Sequence, residues 1–242
     1  MEITKRDFLV AFLSQFALTS TAISSKDDMN SLIEKLNMSE DFNQTVKNIS
    51  ERLGLIRVYV HPFYISKDKT MDQGDPKVQD LSKKIESGLW KNLDSVYRSP
   101  KSAPLFIFEE KNEMDSLKSK IIGKYGKIPP GIFMIPTEEG TGIPDIKIFG
   151  NRENEIPYEQ MTTEEIEFKQ IFKKLFFDIL KVRSIILGGA YFDLETSDKG
   201  EQVPVKCAGD IYRWFKEIGV TDIKLSRFLE LDRDELRLKG LR

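Results

Sequence analysis

Cysteine and histidine each occur once in this chain, at Cys207 and His61. A single cysteine excludes an intrachain disulfide framework and a Cys-rich structural zinc site. A single histidine excludes a metal centre built from several imidazoles. An excess of one charge is also lacking. Lys+Arg 37 against Asp+Glu 39 leaves a net charge of −2, so the chain is not a strongly basic nucleic-acid protein and no nucleic-acid partner is expected. No apolar run is long enough for a stable membrane span. The 242 residues, 40% of them hydrophobic, are enough for one α/β domain, or one domain plus an arm.

The N-terminal stretch opens with Thr4-Lys5-Arg6-Asp7-Phe8-Leu9-Val10, followed by mostly uncharged residues to Ser25, with small residues around Ala22 and Ser24. A short basic region, an apolar centre and small residues form the layout of an export signal. The heptad resembles the twin-arginine pattern Ser/Thr-Arg-Arg-x-Phe-Leu-Lys, with Lys5 at the first Arg and Val10 at the final Lys. The resemblance implies residues 1–25 as a signal, folding before export, and a periplasmic or extracellular mature protein. The competing reading is an amphipathic first helix of a cytoplasmic protein. Residues 26–54 read as a helical arm: Phe42, Val46, Ile49 and Leu53 fall on one face, and Gly54 stands where a C-cap belongs.

From residue 55 to 242 strands alternate with helices. Leu55–Ile65 is a strand candidate in which Pro62, lacking a ladder donor, should mark the strand end or an edge. Lys77–Tyr97 and Met114–Tyr125 read as helices. Leu105–Phe108 and Gly131–Ile135 are short continuous apolar runs, as in strands buried on both faces. Residues 138–161 read as a long irregular loop. Thr162 with Glu165 fits a capping box opening a helix to about Lys181. Ser184–Leu187 is a fourth strand ending in Gly188-Gly189-Ala190-Tyr191, Leu194–Val205 a polar loop, Lys206–Ile218 a helix and Ile223–Phe228 a fifth strand or extended segment. Crossovers of this length predict a three-layer α/β fold, a mostly parallel, Rossmann-like sheet with helices on both faces.

In such sheets ligands bind beyond the carboxyl ends of the strands, where loops leave and helix N-termini point free N–H groups. The strand ends here supply His61 and Tyr64, Glu109 and Glu110, Thr137 and Glu138, then Tyr191, Asp193 and Glu195, and Cys207 lies near the start of the following helix. Glu109, Gly188, Gly189, Tyr191 and Asp193 are the candidate binding residues. His61 is either an acid/base or a satisfied structural histidine beside Pro62. Cys207 is either a nucleophile, its thiolate favoured by a helix N-terminus, or a small buried packing residue. Glu109, Glu110 and Asp193 would be the donors of a carboxylate metal site, though acidic residues after strands also line solvated rims; no metal is expected. No dinucleotide fingerprint, phosphate loop or Gly-x-Ser-x-Gly elbow occurs, so no cofactor is indicated.

The last third is similar to the isochorismatase-like cysteine hydrolases, in Ile185-Ile186-Leu187-Gly188-Gly189, in Cys207-Ala208-Gly209-Asp210, and in Gly219 before Ile223. The resemblance implies a doubly wound α/β scaffold with Cys207 as nucleophile. Where that family has an Asp as base, at the end of its first strand, this chain has Val60-His61-Pro62, and His61 would have to serve instead. Three expectations stand. The first is an exported small-molecule-binding protein or degenerate hydrolase scaffold. The second is an active cysteine hydrolase using Cys207 and His61. The third is an interaction protein docking through the arm.

Overall fold

The computed structural model describes residues 47, 49–51, 54–63, 71–99, 102–137, 140–142, 144, 172–190, 192–197 and 200–229. The expected signal, most of the arm, most of the 138–161 loop, Tyr191 and the basic tail lie outside the described residues. In chain order the elements are β1 (Leu55–Val60), α1 (Pro76–Arg98), β2 (Leu105–Glu110), α2 (Lys111–Tyr125), β3 (Ile132–Thr137), a π-helical turn (Lys174–Ile179), β4 (Ser184–Gly189), β5 (Leu194–Thr196), β6 (Gln202–Pro204), α3 (Lys206–Glu217) and β7 (Asp222–Leu225).

β1, β2, β3, β4 and β7 form one parallel sheet in the order β3-β2-β1-β4-β7. The expected α/β architecture is therefore present. The chain runs outward from β1 to β3, then returns past β1 to lay β4 on its other side. The direction of winding thus reverses between β1 and β4. Both faces of the sheet are apolar because both are covered. Leu55 and Tyr59 of β1, with Leu105, Ile107, Ile132 and Met134, meet Ile85, Leu89 and Leu93 of α1 and Leu117 and Ile121 of α2. Ile56, Val58 and Val60, with Phe106, Phe108, Phe133 and Ile135, meet Phe172, Leu175 and Phe176 and the α3 residues Ile211, Trp214 and Phe215. Phe172, Phe176 and Phe215 pack ring against ring with centroids 4.5–5.2 Å apart.

Local chemistry sets the element ends. Asp75 accepts a hydrogen bond from Lys77 N at 2.8 Å and Pro76 opens α1, a favoured first helical residue. α2 follows β2 with no intervening loop, three residues earlier than the apolar spacing predicts. β3 continues through Pro136 to Thr137, which an edge strand tolerates. At the amino end of the sheet the buried Arg57 donates to Ala103 O through Nε (3.0 Å) and Nη2 (2.6 Å), and to Asn92 Oδ1 (2.8 Å), tying β1 to α1. Ile49, at the end of the expected arm, is buried in the core beside β1.

Four expectations are corrected. The polar loop 194–205 contains an antiparallel ribbon, β5 paired with β6. Strands of three residues are too short to show alternation in sequence. The last strand stops at Leu225, and 227–228 lie in a turn closed by Leu229 N on Ser226 O. The expected helix to Lys181 ends in a π-helical turn, with Leu180 N on Leu175 O. Gly188 and Gly189 belong to β4 itself rather than following it.

Candidate functional site at the carboxyl rim of the sheet

Pro62 ends β1 as its missing donor requires. His61, one residue earlier, turns out of the strand with φ of 48° and still donates its backbone N–H to Phe108 O. Its ring is wholly buried, and Nε2 lies 2.8 Å from Thr137 Oγ1. The contact ties the end of β1 to the end of β3 across β2. Burial holds the imidazolium down to about 4, so the ring is neutral near pH 7.

β2 delivers two buried carboxylates to the same rim. Glu109 Oε1 accepts from Glu110 N at 3.0 Å. Glu110 sits where α2 begins but does not cap it. Its Oε1 instead accepts from Gly140 N at 2.7 Å. Beyond β3 the chain folds back, with Thr137 and Pro144 forming an antiparallel bridge. Gly142 N donates to Asp210 Oδ2 at 3.0 Å, and Asp210 also pairs with Arg213 one turn along α3.

Cys207 is the second residue of α3 and nearly buried. Its Sγ donates to Gly140 O at 3.9 Å, a weak thiol contact. A helix N-terminus should favour the thiolate. Here burial dominates, the carboxylates of Asp210 and Glu110 add to it, and the thiol is pushed up to about 12. His61 Nε2 is directed to Thr137 and Cys207 Sγ to Gly140 O. The two expected catalytic partners make their hydrogen bonds to different groups.

At the rim the Gly140–Gly142 turn therefore joins Glu110, Cys207 and Asp210, and the His61–Thr137 contact joins the ends of β1 and β3. The chain matches no family model, no curated protein and no solved structure.

The remaining expected residues lie elsewhere. Gly189 has φ of 130°, and a side chain there would overlap Val60 O. At Gly188 a side chain would overlap Ser226 O. The two glycines let β1 and the 226–229 turn approach β4, and Ala190 N donates to Val60 O at 2.9 Å. Main chain thus bridges β1 and β4 where the winding reverses. Asp193 is half exposed and clamped by Lys206 (2.6 Å) and Arg227 (3.3 Å), which hold its carboxyl below the usual range, Lys206 foremost. Tyr191 lies outside the described residues. Among the described residues no group of three or more His, Cys, Asp or Glu is placed to hold a metal ion, and no helix is long and apolar enough to cross a membrane.

The sequence alone marks Gly140-Thr141-Gly142 only as too short for a phosphate loop, and Asp210 only as part of the cysteine-hydrolase resemblance, so neither stands out as a rim contact. A weak signal for each was in the chain. Asp210 and Arg213 have the i, i+3 spacing of a helical ion pair, and paired glycines after a strand mark close backbone approach.

Proposed function

We propose that this protein binds a small molecule at the carboxyl rim, over the ends of β1, β2 and β3, as an exported α/β scaffold in which Cys207 packs rather than attacks. The observation that carries this reading is the burial of His61, Glu109, Glu110 and Thr137 together at three adjacent strand ends. Buried polar side chains are unfavourable unless hydrogen-bonded, and such groups converging beyond a parallel sheet mark the default binding site. Glu110 and Asp210 already accept N–H groups from Gly140 and Gly142. A ligand that takes their place must bring equivalent donors, so small amines and amides are the favoured class over carboxylates.

A thermal-shift screen of small amines, amides and carboxylates tests this. Amines or amides should raise Tm at millimolar concentration by mass action. Asp210→Asn and Glu110→Gln should weaken that shift, and the surface variant Glu201→Gln should not. The reading fails if no amine or amide stabilises the protein, or if the shifts survive both rim variants. Export rests on Lys5-Arg6-Asp7-Phe8-Leu9. N-terminal sequencing of the secreted fraction should begin near Ser25, and recovery of Met1 from the cytoplasm alone would reject it.

The cysteine hydrolase is the second reading, favoured by Cys207 opening α3 on this same rim. A thiol held at about 12 leaves a thiolate fraction of roughly 1 in 10⁵ at pH 7, which ranks the reading second. Cys207→Ser separates the two. It keeps the ligand-induced Tm shift under the first and abolishes turnover under the second.

A further inference from the structure

We propose that the Gly140–Gly142 turn is a latched strap over Cys207, and that release of this strap, rather than unfolding of the domain, is what admits solvent and reagents to the thiol. The inference concerns motion and holds whichever functional reading is right.

Contacts from the strap and its base run to three different elements. Glu110 of β2 accepts from Gly140 N at 2.7 Å. Asp210 of α3 accepts from Gly142 N at 3.0 Å. Thr137 of β3 bridges to Pro144. The Cys207 thiol itself reaches Gly140 O. Gly142 lies so close to the main chain of Cys207 that a Cβ would overlap Cys207 O. The obstacle at that point is helix backbone, which cannot swing aside as a side chain would.

The fastenings differ in kind from the core beneath them. They include two hydrogen bonds to carboxylates, one isolated bridge and a weak thiol contact. The aromatic packing of Phe172, Phe176, Trp214 and Phe215 lies below, on the sheet side of α3, and strap release leaves it intact. A segment held by polar contacts on a well-packed base opens locally, below the free energy of global unfolding. Opening also removes the leading cause that raises the thiol, its desolvation, so the released state is the more reactive one.

The experiment is labelling of Cys207 by a small disulfide reagent as a function of urea, on the whole chain. Local opening exposes little surface and depends weakly on urea, whereas global unfolding carries the full m-value. Wild type should show a flat low-urea labelling phase that steepens only near the unfolding transition. Gly142→Ala should raise the flat rate tenfold or more, and Asp210→Ala should raise it several-fold, both with native circular dichroism. If Gly142→Ala does not fold, Asp210→Glu decides, since it keeps the negative charge near the thiol while displacing the carboxylate from Gly142 N. The proposal is overturned if wild-type labelling follows the global m-value down to zero urea. It is equally overturned if the folded variants label at the wild-type rate.

Discussion

His61 is the residue on which the pH response of the fold turns. Burial holds its imidazolium at about 4 in the folded protein against an ordinary 6.5. Between those values the unfolded chain binds a proton that the folded chain does not. Stability therefore rises with pH through that window and falls as pH drops from about 7 towards 4. Between pH 7.5 and pH 5 this one group should remove about 2 kcal/mol. Carboxylates titrate near the lower end, so the quantity to measure is a difference. His61→Asn tolerates the positive φ of this position and has no titration there. Urea unfolding at both pH values should give a drop in wild type about 2 kcal/mol larger than in His61→Asn. Equal drops would exclude His61 as the cause. The placement of this residue was legible, because Pro62 had to end the strand. Its role was not, because a lone histidine reads the same in sequence whether it titrates freely or is sealed beneath a threonine two strands away.

At the scale of elements, legibility followed length. α1 runs for 23 residues with Ile85, Leu89, Leu93 and Val96 on its buried side, enough turns for the 3.6-residue period to stand out. β5 and β6 have three residues each, so no alternation could. The Gly140–Gly142 turn was hidden for another reason. Its partners Glu110 and Asp210 lie 30 and 68 residues away along the chain, and only the folded sheet brings them together. α1 also offers a test of what local sequence contributes. Asp75 accepts from Lys77 N and stands on an exposed surface, apart from the rim contacts. Asp75→Ala removes the cap and should lower stability by about 1 kcal/mol, and Asp75→Ser should restore most of it. Thermal melts would read this as a Tm lower by about 2–4 °C in the alanine variant only. Equal melting of all three proteins would show that tertiary packing alone sets the start of α1.

For the whole molecule, parallel pairing was readable because helices of 12 to 23 residues separate the strands, as parallel crossovers require. The strand order was not readable, since the same alternation of elements fits several windings. That order places β1 between β2 and β4, with both faces covered, while the β5–β6 ribbon lies outside the main sheet with β5 exposed along its length. Two regimes of stability follow. β1 exchanges its amide hydrogens only when the domain unfolds, because every route to its hydrogen bonds passes through packed neighbours. At its base the ribbon is held by the Asp193 contacts to Lys206 and Arg227, and by Arg227 on Phe192 O. The Asp193 and Lys206 side chains are 51% and 52% exposed, so their pairing contributes at most about 1 kcal/mol and is screened by salt. Hydrogen exchange in low salt and in 1 M NaCl should therefore separate the two. Amides of β5 and β6 should exchange by local opening and speed up by about two- to fivefold in high salt, while those of β1 should not accelerate. If ribbon and β1 amides exchange at one common rate in both conditions, the ribbon is part of the same cooperative unit and the Asp193 clamp is not what secures it.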